Sequence, residues 1–139
     1  MTPHSPPRIR SIVETVLYVD DLARSVEYYA RVLGLELMMR DDRFAAFAVA
    51  SGQVLLLFLR GESAAGIQTG RGFIPGHDAI GRQHLALGAS REELVEWGLA
   101  LGAQVESEVD WPRGGRSLFL RDPDGHLVEL VTPGTWANY

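Results

Sequence analysis

Three residues with metal-ligating side chains lie in stretches that are otherwise apolar and typical of β-strands. Glu14, His84 and Glu129 occur within the sequences IVETVLYV, QHLAL and LVELV. A charge inside such a strand is costly unless it is paired or ligated. Carboxylate and imidazole groups bind Mn, Fe, Ni, Co and Zn, and three ligands leave coordination positions open for a substrate. We therefore predict an open site for one divalent metal ion of undetermined identity, with Glu14 also a candidate catalytic base.

Each of these residues has a simpler explanation when it is considered alone. A glutamate in a strand usually faces solvent on one side of a sheet, and His84 could be a hydrogen-bonded histidine of the core. The prediction of a shared site therefore depends on a fold that brings the three residues together.

The strands and the helix that must position these residues are predicted to occur in two copies along the chain, with the same order in each copy. Residues 10–60 contain a strand, a helix that ends at Gly34 and three further strands. Residues 81–134 repeat this order, and Ser90 with Glu93 forms a capping box at the start of the second helix. Residues 61–80, which are rich in glycine, are predicted to form a long loop between the copies. The pattern predicts one α+β domain over residues 1–139, built from two β-α-β-β-β modules.

The two copies place the candidate ligands at matched positions. Glu14 and His84 lie in the first strand of each copy, 20 and 18 residues before the glycine that ends the helix. In the last strands, a shift of 73 residues aligns Glu129 with Leu56. If the modules pack about a pseudo-twofold axis, the three polar residues converge, which chance would not favour.

The composition limits the kinds of partner that this protein has. Its 139 residues are 46% hydrophobic, carry a formal net charge of -5 and include no cysteine. Thiolate metal sites and cysteine nucleophiles are therefore excluded, and without a basic patch nucleic acid is not an expected partner. The longest apolar runs are too short to cross a membrane. We expect a cytoplasmic protein that acts on a small molecule.

Four further residues are candidates for contacts with a substrate. His77 lies in the predicted loop and could fold over the site as a catalytic acid–base group, with a solvated loop histidine as the simpler alternative. Trp111 and Arg113 lie in the loop sequence DWPRGG, where they could supply a pocket wall and an anion contact. Their simpler roles are to cap the sheet and to face solvent. Phe58, in an apolar strand, is a candidate substrate contact or a core residue.

Two motifs resemble the vicinal oxygen chelate superfamily. They are ETVLYVDDL, followed by SVEYYARVLGL, near the start and DPDGHLVEL near the end. The superfamily includes glyoxalase I, extradiol dioxygenases, fosfomycin-resistance transferases and bleomycin resistance proteins, and the resemblance extends over about residues 12–133. It implies an incomplete eight-stranded barrel, the fold of glyoxalase, bleomycin resistance protein and dihydroxybiphenyl dioxygenase, around one divalent metal. Glu14, His84 and Glu129 match the ligand positions. The resemblance also implies a homodimer, in which each site is formed either by modules of two chains or by the two modules of one chain.

This sequence departs from the superfamily's patterns at two ligand positions. Glyoxalase I has a fourth ligand where this chain has Leu56, which cannot coordinate a metal. Extradiol dioxygenases have a histidine where this chain has Glu14, so the site is more anionic. A lyase, an isomerase, a dioxygenase and a thiol transferase all remain compatible with three ligands. The alternative from another class is a metal-free binding protein of the bleomycin-resistance type, which would hold a flat ligand between aromatic walls.

Overall fold

The computed structural model describes residues 5–139, which form two modules joined by a short hairpin. The first module contains β1 (Glu14–Val19), α1 (Leu22–Glu27), β2 (Glu36–Arg40), β3 (Phe44–Ala50) and β4 (Gln53–Leu59). The hairpin pairs β5 (Ile67–Thr69) with β6 (Gly72–Ile74). The second module contains β7 (His84–Gly88), α2 (Arg91–Leu101), β8 (Ser107–Asp110), β9 (Arg116–Arg121) and β10 (Leu127–Val131). The two modules thus share one order of elements, as the repeat predicts.

Each module forms a four-stranded sheet in which the first strand pairs in parallel with the last. The strand orders are β1-β4-β3-β2 and β7-β10-β9-β8, and the sheets do not close into a complete barrel. The pairing of the first and last strands is equivalent in the two modules: Glu14–Val54 and Val16–Leu56 in the first, His84–Leu127 and Ala86–Glu129 in the second. Glu14 and His84 therefore occupy equivalent places in the fold, as do Leu56 and Glu129.

Local sequence signals explain where the helices begin and end. The Asp21 side chain accepts a hydrogen bond from a first-turn amide of α1, and Ser90 with Glu93 forms the capping box of α2. The helix predicted over residues 22–33 consists of α1 and a following π-helical turn, Tyr28–Val32. Gly34 then adopts a φ of +68°, a left-handed conformation that favours glycine.

One face of each sheet packs with the helices into a common apolar core. Leu17, Leu57, Leu120 and Val128 are fully buried there, and each such side chain contributes about 1.5–3 kcal/mol of burial free energy. We call the opposite face of each sheet the cup face. Because side chains alternate along a strand, Glu14 and the ligand candidates of β7 and β10 lie on the cup faces.

The turn between β9 and β10 joins the second module to the first, and we call it the module joint. Within it, the Asp122 carboxylate accepts a hydrogen bond from the Tyr29 hydroxyl at 2.8 Å, and Asp124 accepts hydrogen bonds from residues of the first module. His126 is fully buried and donates its Nε2–H to the Tyr18 carbonyl at 2.7 Å. These polar contacts fix one end of β1 and α1 against the second module.

The segment predicted to be a long loop, residues 61–80, contains the β5–β6 hairpin. The sequence does not indicate this hairpin, because two strands of three residues are too short to give a recognisable period. Within residues 5–139, no helix is long and apolar enough to cross a membrane.

Candidate metal and substrate site

His84 and Glu129 meet on the cup face of the second module. They lie on the neighbouring parallel strands β7 and β10, and His84 Nε2 is 3.1 Å from Glu129 Oε1. The Glu129 side chain is 10% exposed, whereas that of His84 is 51% exposed. The pair thus combines a sheltered carboxylate with an imidazole that is open to solvent.

The orientation of the His84 ring leaves a lone pair directed at the carboxylate. His84 Nδ1 is 2.9 Å from the Leu127 carbonyl oxygen. Because a carbonyl can only accept, Nδ1 carries the proton and Nε2 of the neutral ring is an acceptor. Two acceptors at 3.1 Å require a positive charge between them, which is either a proton on Nε2 or a metal ion.

The distance within this pair fits a shared metal ion. Ligand bonds from zinc to histidine nitrogen or carboxylate oxygen are about 2.0–2.2 Å. Two such ligands are about 3.0 Å apart at a right angle and about 3.4 Å apart at a tetrahedral angle. The observed separation of 3.1 Å lies between these values, so the donor set and its spacing both suit a divalent ion.

A chain of side-chain hydrogen bonds holds Glu129 in place. The Ser117 hydroxyl donates to Glu129 Oε2, and Trp111 donates its indole N–H to Ser117 Oγ at 2.7 Å. Trp111, which was predicted to contact the substrate, is therefore linked through Ser117 to the candidate metal ligand Glu129. Hydrogen bonds of this kind orient the side chains that coordinate a metal and raise the affinity of the site for that metal.

Glu14 does not join His84 and Glu129 within one chain. It is the exposed first residue of β1. Among residues 5–139, no group of three histidine, aspartate or glutamate ligand atoms within 4.8 Å of one another includes Glu14. A single chain thus presents two of the predicted ligands together and the third separately.

The other substrate candidates fall into two places. Phe58 lies on the cup face of the first module, and His77 packs edge-on against its ring with centroids 4.7 Å apart. His77 Nδ1 is also hydrogen bonded to the Tyr18 hydroxyl at 2.7 Å. Arg113 lies on the exposed loop between β8 and β9, and no ion pair of its guanidinium is found among the described residues.

A second cluster, Asp122, Asp124 and His126, has ligand atoms within 4.8 Å of one another. These atoms already have partners, because both carboxylates accept hydrogen bonds and His126 Nδ1 accepts one from the Gln83 amide. The cluster is the module joint, and its hydrogen bonds explain its composition without an ion.

Comparison with known proteins places this chain in a family. Residues 14–131 match the family described as glyoxalase-like domain. This match covers most of the chain, and the protein therefore belongs to the glyoxalase-like domain family, within the vicinal oxygen chelate superfamily.

The chain is similar to several enzymes of that superfamily. The crystal structure of a lactoylglutathione lyase from Agrobacterium tumefaciens has 34% sequence identity and a TM-score of 0.84, with coverage of 96% of this chain and 99% of that one. A lactoylglutathione lyase from Arabidopsis thaliana is 30% identical over 135 residues, or 90% of this chain and 45% of the relative. A catechol-2,3-dioxygenase from Bacillus subtilis is 27% identical over 131 residues, or 86% of this chain and 41% of the relative. The chain thus spans less than half the length of the latter two.

The residues that support the candidates were not predicted from the sequence. Ser117 carries a usable signal, because alternation along β9 places Ser117 and Phe119 on the face that carries Glu129. The Leu127 carbonyl that orients His84 has no such signal, since any residue supplies a carbonyl.

Proposed function

We propose that this protein is a divalent-metal-dependent enzyme that acts on a small oxygenated molecule. Glu14, His84 and Glu129 hold the metal, and the substrate binds through two neighbouring oxygens. The observation that carries this proposal is the approach of two acceptors, His84 Nε2 and Glu129 Oε1, to 3.1 Å. The enzyme names of the relatives support it at the level of the family.

The residues of this chain have distinct tasks in the proposed site. The chemistry that a bound divalent ion supplies is Lewis acidity, which stabilises negative charge on the two substrate oxygens. Glu14 accepts a proton from the carbon beside those oxygens, and Leu127 and Ser117 keep His84 and Glu129 in their orientations. A carboxylate placed for proton transfer suits a lyase or an isomerase. Oxygen consumption with a catechol would instead identify the dioxygenase type.

The separation of Glu14 from the other two ligands supports a site shared between two chains. The equivalent strand registers give Glu14 the place in the first module that His84 has in the second. A homodimer that pairs the first module of one chain with the second module of another would bring all three ligands together.

The alternative is a metal-free binding protein of the bleomycin-resistance type, which the aromatic side chains around Phe58 favour. Thermal unfolding with and without added divalent ions separates the two functions. A ligand that binds only the native state must raise the unfolding midpoint, so a metal enzyme gains stability from at least one of Mn, Fe, Ni, Co or Zn.

Metal analysis of protein purified without chelators tests the proposal directly. We expect wild-type protein to retain a divalent metal and Glu14→Ala, His84→Ala and Glu129→Ala to lose most of it. Glu36→Ala, which removes an exposed carboxylate from β2, is the matched control and should retain wild-type metal content. Equal metal content in all five proteins would refute the site.

A further inference from the structure

The outer face of the second sheet carries a cavity that lies opposite the cup face. Its volume is about 560 Å³, within the range of about 300–1,000 Å³ that is typical of small-molecule sites. One wall is α2, and the other is formed by β8 and β9, where Arg116 and Leu118 lie on the face opposite to Ser117. We call this cavity the helix pocket. The sheet itself separates it from the proposed metal site.

The helix pocket has an apolar end on α2. Val95 and Leu99, one helical turn apart, are 64% and 82% exposed, and the buried Leu94 also lines the pocket. A shift of 68 residues, which superposes the glycines that follow the two helices, aligns Val95 and Leu99 with charged residues of the first helix. These are Glu27 and Arg31, which form an exposed ion pair at 3.6 Å. The second module thus exposes apolar side chains where the first has a solvated ion pair.

A glycine in the middle of α2 keeps space free in the pocket. Gly98 lines the pocket, and a methyl group placed on it would lie 3.7 Å from Leu118 Cδ1, an ordinary contact. Glycine weakens the interior of a helix relative to alanine, so helix stability does not favour it at this position. The first helix has Ala30 at the equivalent place. Gly98 therefore leaves open a part of the pocket that a side chain would fill.

The other end of the pocket is polar and contains two arginines and two carboxylates. Arg116 pairs with both acidic groups, Glu108 and Asp110, the latter at 3.7 Å. Arg91 donates a hydrogen bond to the Gly114 carbonyl at 2.7 Å, and no ion pair of Arg91 is found among residues 5–139. A guanidinium has five N–H donors in a geometry that matches a carboxylate. Arg91 is therefore suited to bind the carboxylate of a ligand.

We propose that the helix pocket binds a small amphipathic carboxylate, with its charged group at Arg91 and its apolar body against Val95 and Leu99. Apolar walls supply the area that such a ligand buries, and the arginine fixes its orientation. This site lies outside the cup, so it goes beyond the proposed function and does not require a metal.

Titration of metal-free protein with octanoate tests the pocket. Each buried methylene is worth about a fourfold change in affinity, so octanoate should bind at least about tenfold more tightly than butyrate. Octanamide has the same chain with a neutral head group and should bind about two- to fivefold more weakly than octanoate. Calorimetry measures these affinities. Amide chemical shifts in NMR spectra locate the ligand, and we expect saturable changes at Gly98 and Gly114.

Two variants separate the charged and apolar contacts. Arg91→Gln should weaken octanoate binding about two- to fivefold and leave octanamide binding unchanged. Leu99→Gln should weaken the binding of both ligands, again about two- to fivefold. Arg31→Gln and Ile80→Gln are the matched controls, because Arg31 and Ile80 are exposed outside the pocket, and both should bind as the wild type does.

The proposal is overturned if octanoate does not bind, if octanamide binds as tightly, or if Arg91→Gln and Leu99→Gln bind octanoate as their controls do. A wild-type dimer that Leu99→Gln converts to a monomer in sedimentation would show that a second copy of the chain covers the pocket, which also overturns it. Because the titrations use metal-free protein, loss of the metal site with an intact pocket would overturn the proposed function alone, and the reverse result would overturn the pocket alone.

Discussion

At the scale of single residues, hydrogen-bond directions decide what His84 and Glu129 can do. The Leu127 carbonyl accepts a hydrogen bond from Nδ1–H of His84, and the Ser117 hydroxyl donates a hydrogen bond to Oε2 of Glu129. Each ligand candidate thus presents one remaining lone pair toward the other. This arrangement places either a proton or a metal ion between His84 Nε2 and Glu129 Oε1.

Ser117→Ala tests whether the hydrogen bond from Ser117 to Glu129 contributes to metal binding. The substitution removes the donor to Glu129 and leaves both ligand candidates present, so we expect metal affinity to fall about 10- to 100-fold. The affinity can be measured by titration of the metal-free protein with Zn²⁺ or Ni²⁺, with indole fluorescence as a second readout, because Trp111 donates to Ser117.

Ser107→Ala provides the control for that titration. Ser107 is an exposed serine on β8 of the same sheet, and its loss should leave the affinity unchanged. If Ser117→Ala binds metal as tightly as Ser107→Ala does, Ser117 has no part in orienting Glu129.

At the scale of elements, the two adjacent tyrosines of the π-helical turn differ in the hydrogen bonding of their hydroxyl groups. Tyr29 donates its hydroxyl to Asp122 in the module joint, whereas the buried Tyr28 hydroxyl has no hydrogen-bond partner among residues 5–139. A buried polar group without a partner costs about 1–3 kcal/mol, and a hydrogen bond to a charged group contributes about 1.5–3 kcal/mol.

These environments predict stability changes of opposite sign. Tyr28→Phe should raise the free energy of unfolding by about 1 kcal/mol, and Tyr29→Phe should lower it by about 2 kcal/mol. Urea denaturation at pH 7 measures both changes. Changes of the same sign would contradict the hydrogen-bond assignment of the module joint.

The same tyrosines give stability a defined pH dependence. Burial, with the Asp122 charge adding to it, raises the pKa of Tyr28 to about 12 and that of Tyr29 further still. The unfolded chain loses these protons near pH 10, whereas the fold retains them, so the contribution of these two tyrosines to stability is constant below about pH 10 and falls above it. Unfolding midpoints from pH 8 to 11.5 should fall less steeply in Tyr28→Phe than in the wild type.

Much of the element order was predictable because its signals are local. The Ser90 capping box and the glycines after both helices mark helix limits within a few residues. The β5–β6 hairpin was missed because three-residue strands have no readable period. The module joint was missed because its partners, such as Tyr29 and Asp122, are 93 residues apart in the chain.

The candidate site was predictable only in its ligand set. Glu129 is conspicuous as a charge within LVELV, and the repeat relates Glu14 to His84 and Leu56 to Glu129. The orientation of the His84 ring, the hydrogen bond from Ser117 and the aromatic contacts of Phe58 depend on which groups meet across strands. A linear sequence does not specify these contacts.

At the scale of the whole molecule, a single chain brings together only part of the proposed site. Its second module presents His84 with Glu129, and its first module presents Glu14 and Leu56. Two chains in a reciprocal dimer would complete two sites, each with ligands from both chains. The central claim is therefore that metal binding requires Glu14 of one chain and His84 of another.

Co-expression of Glu14→Ala and His84→Ala chains with different tags tests this claim. In a reciprocal dimer, the mixed species has one site with both substitutions and one intact site. We predict that the purified mixed dimer holds about half the metal of the wild type, while each variant alone holds little. A mixed dimer as poor in metal as either variant alone would contradict the shared site.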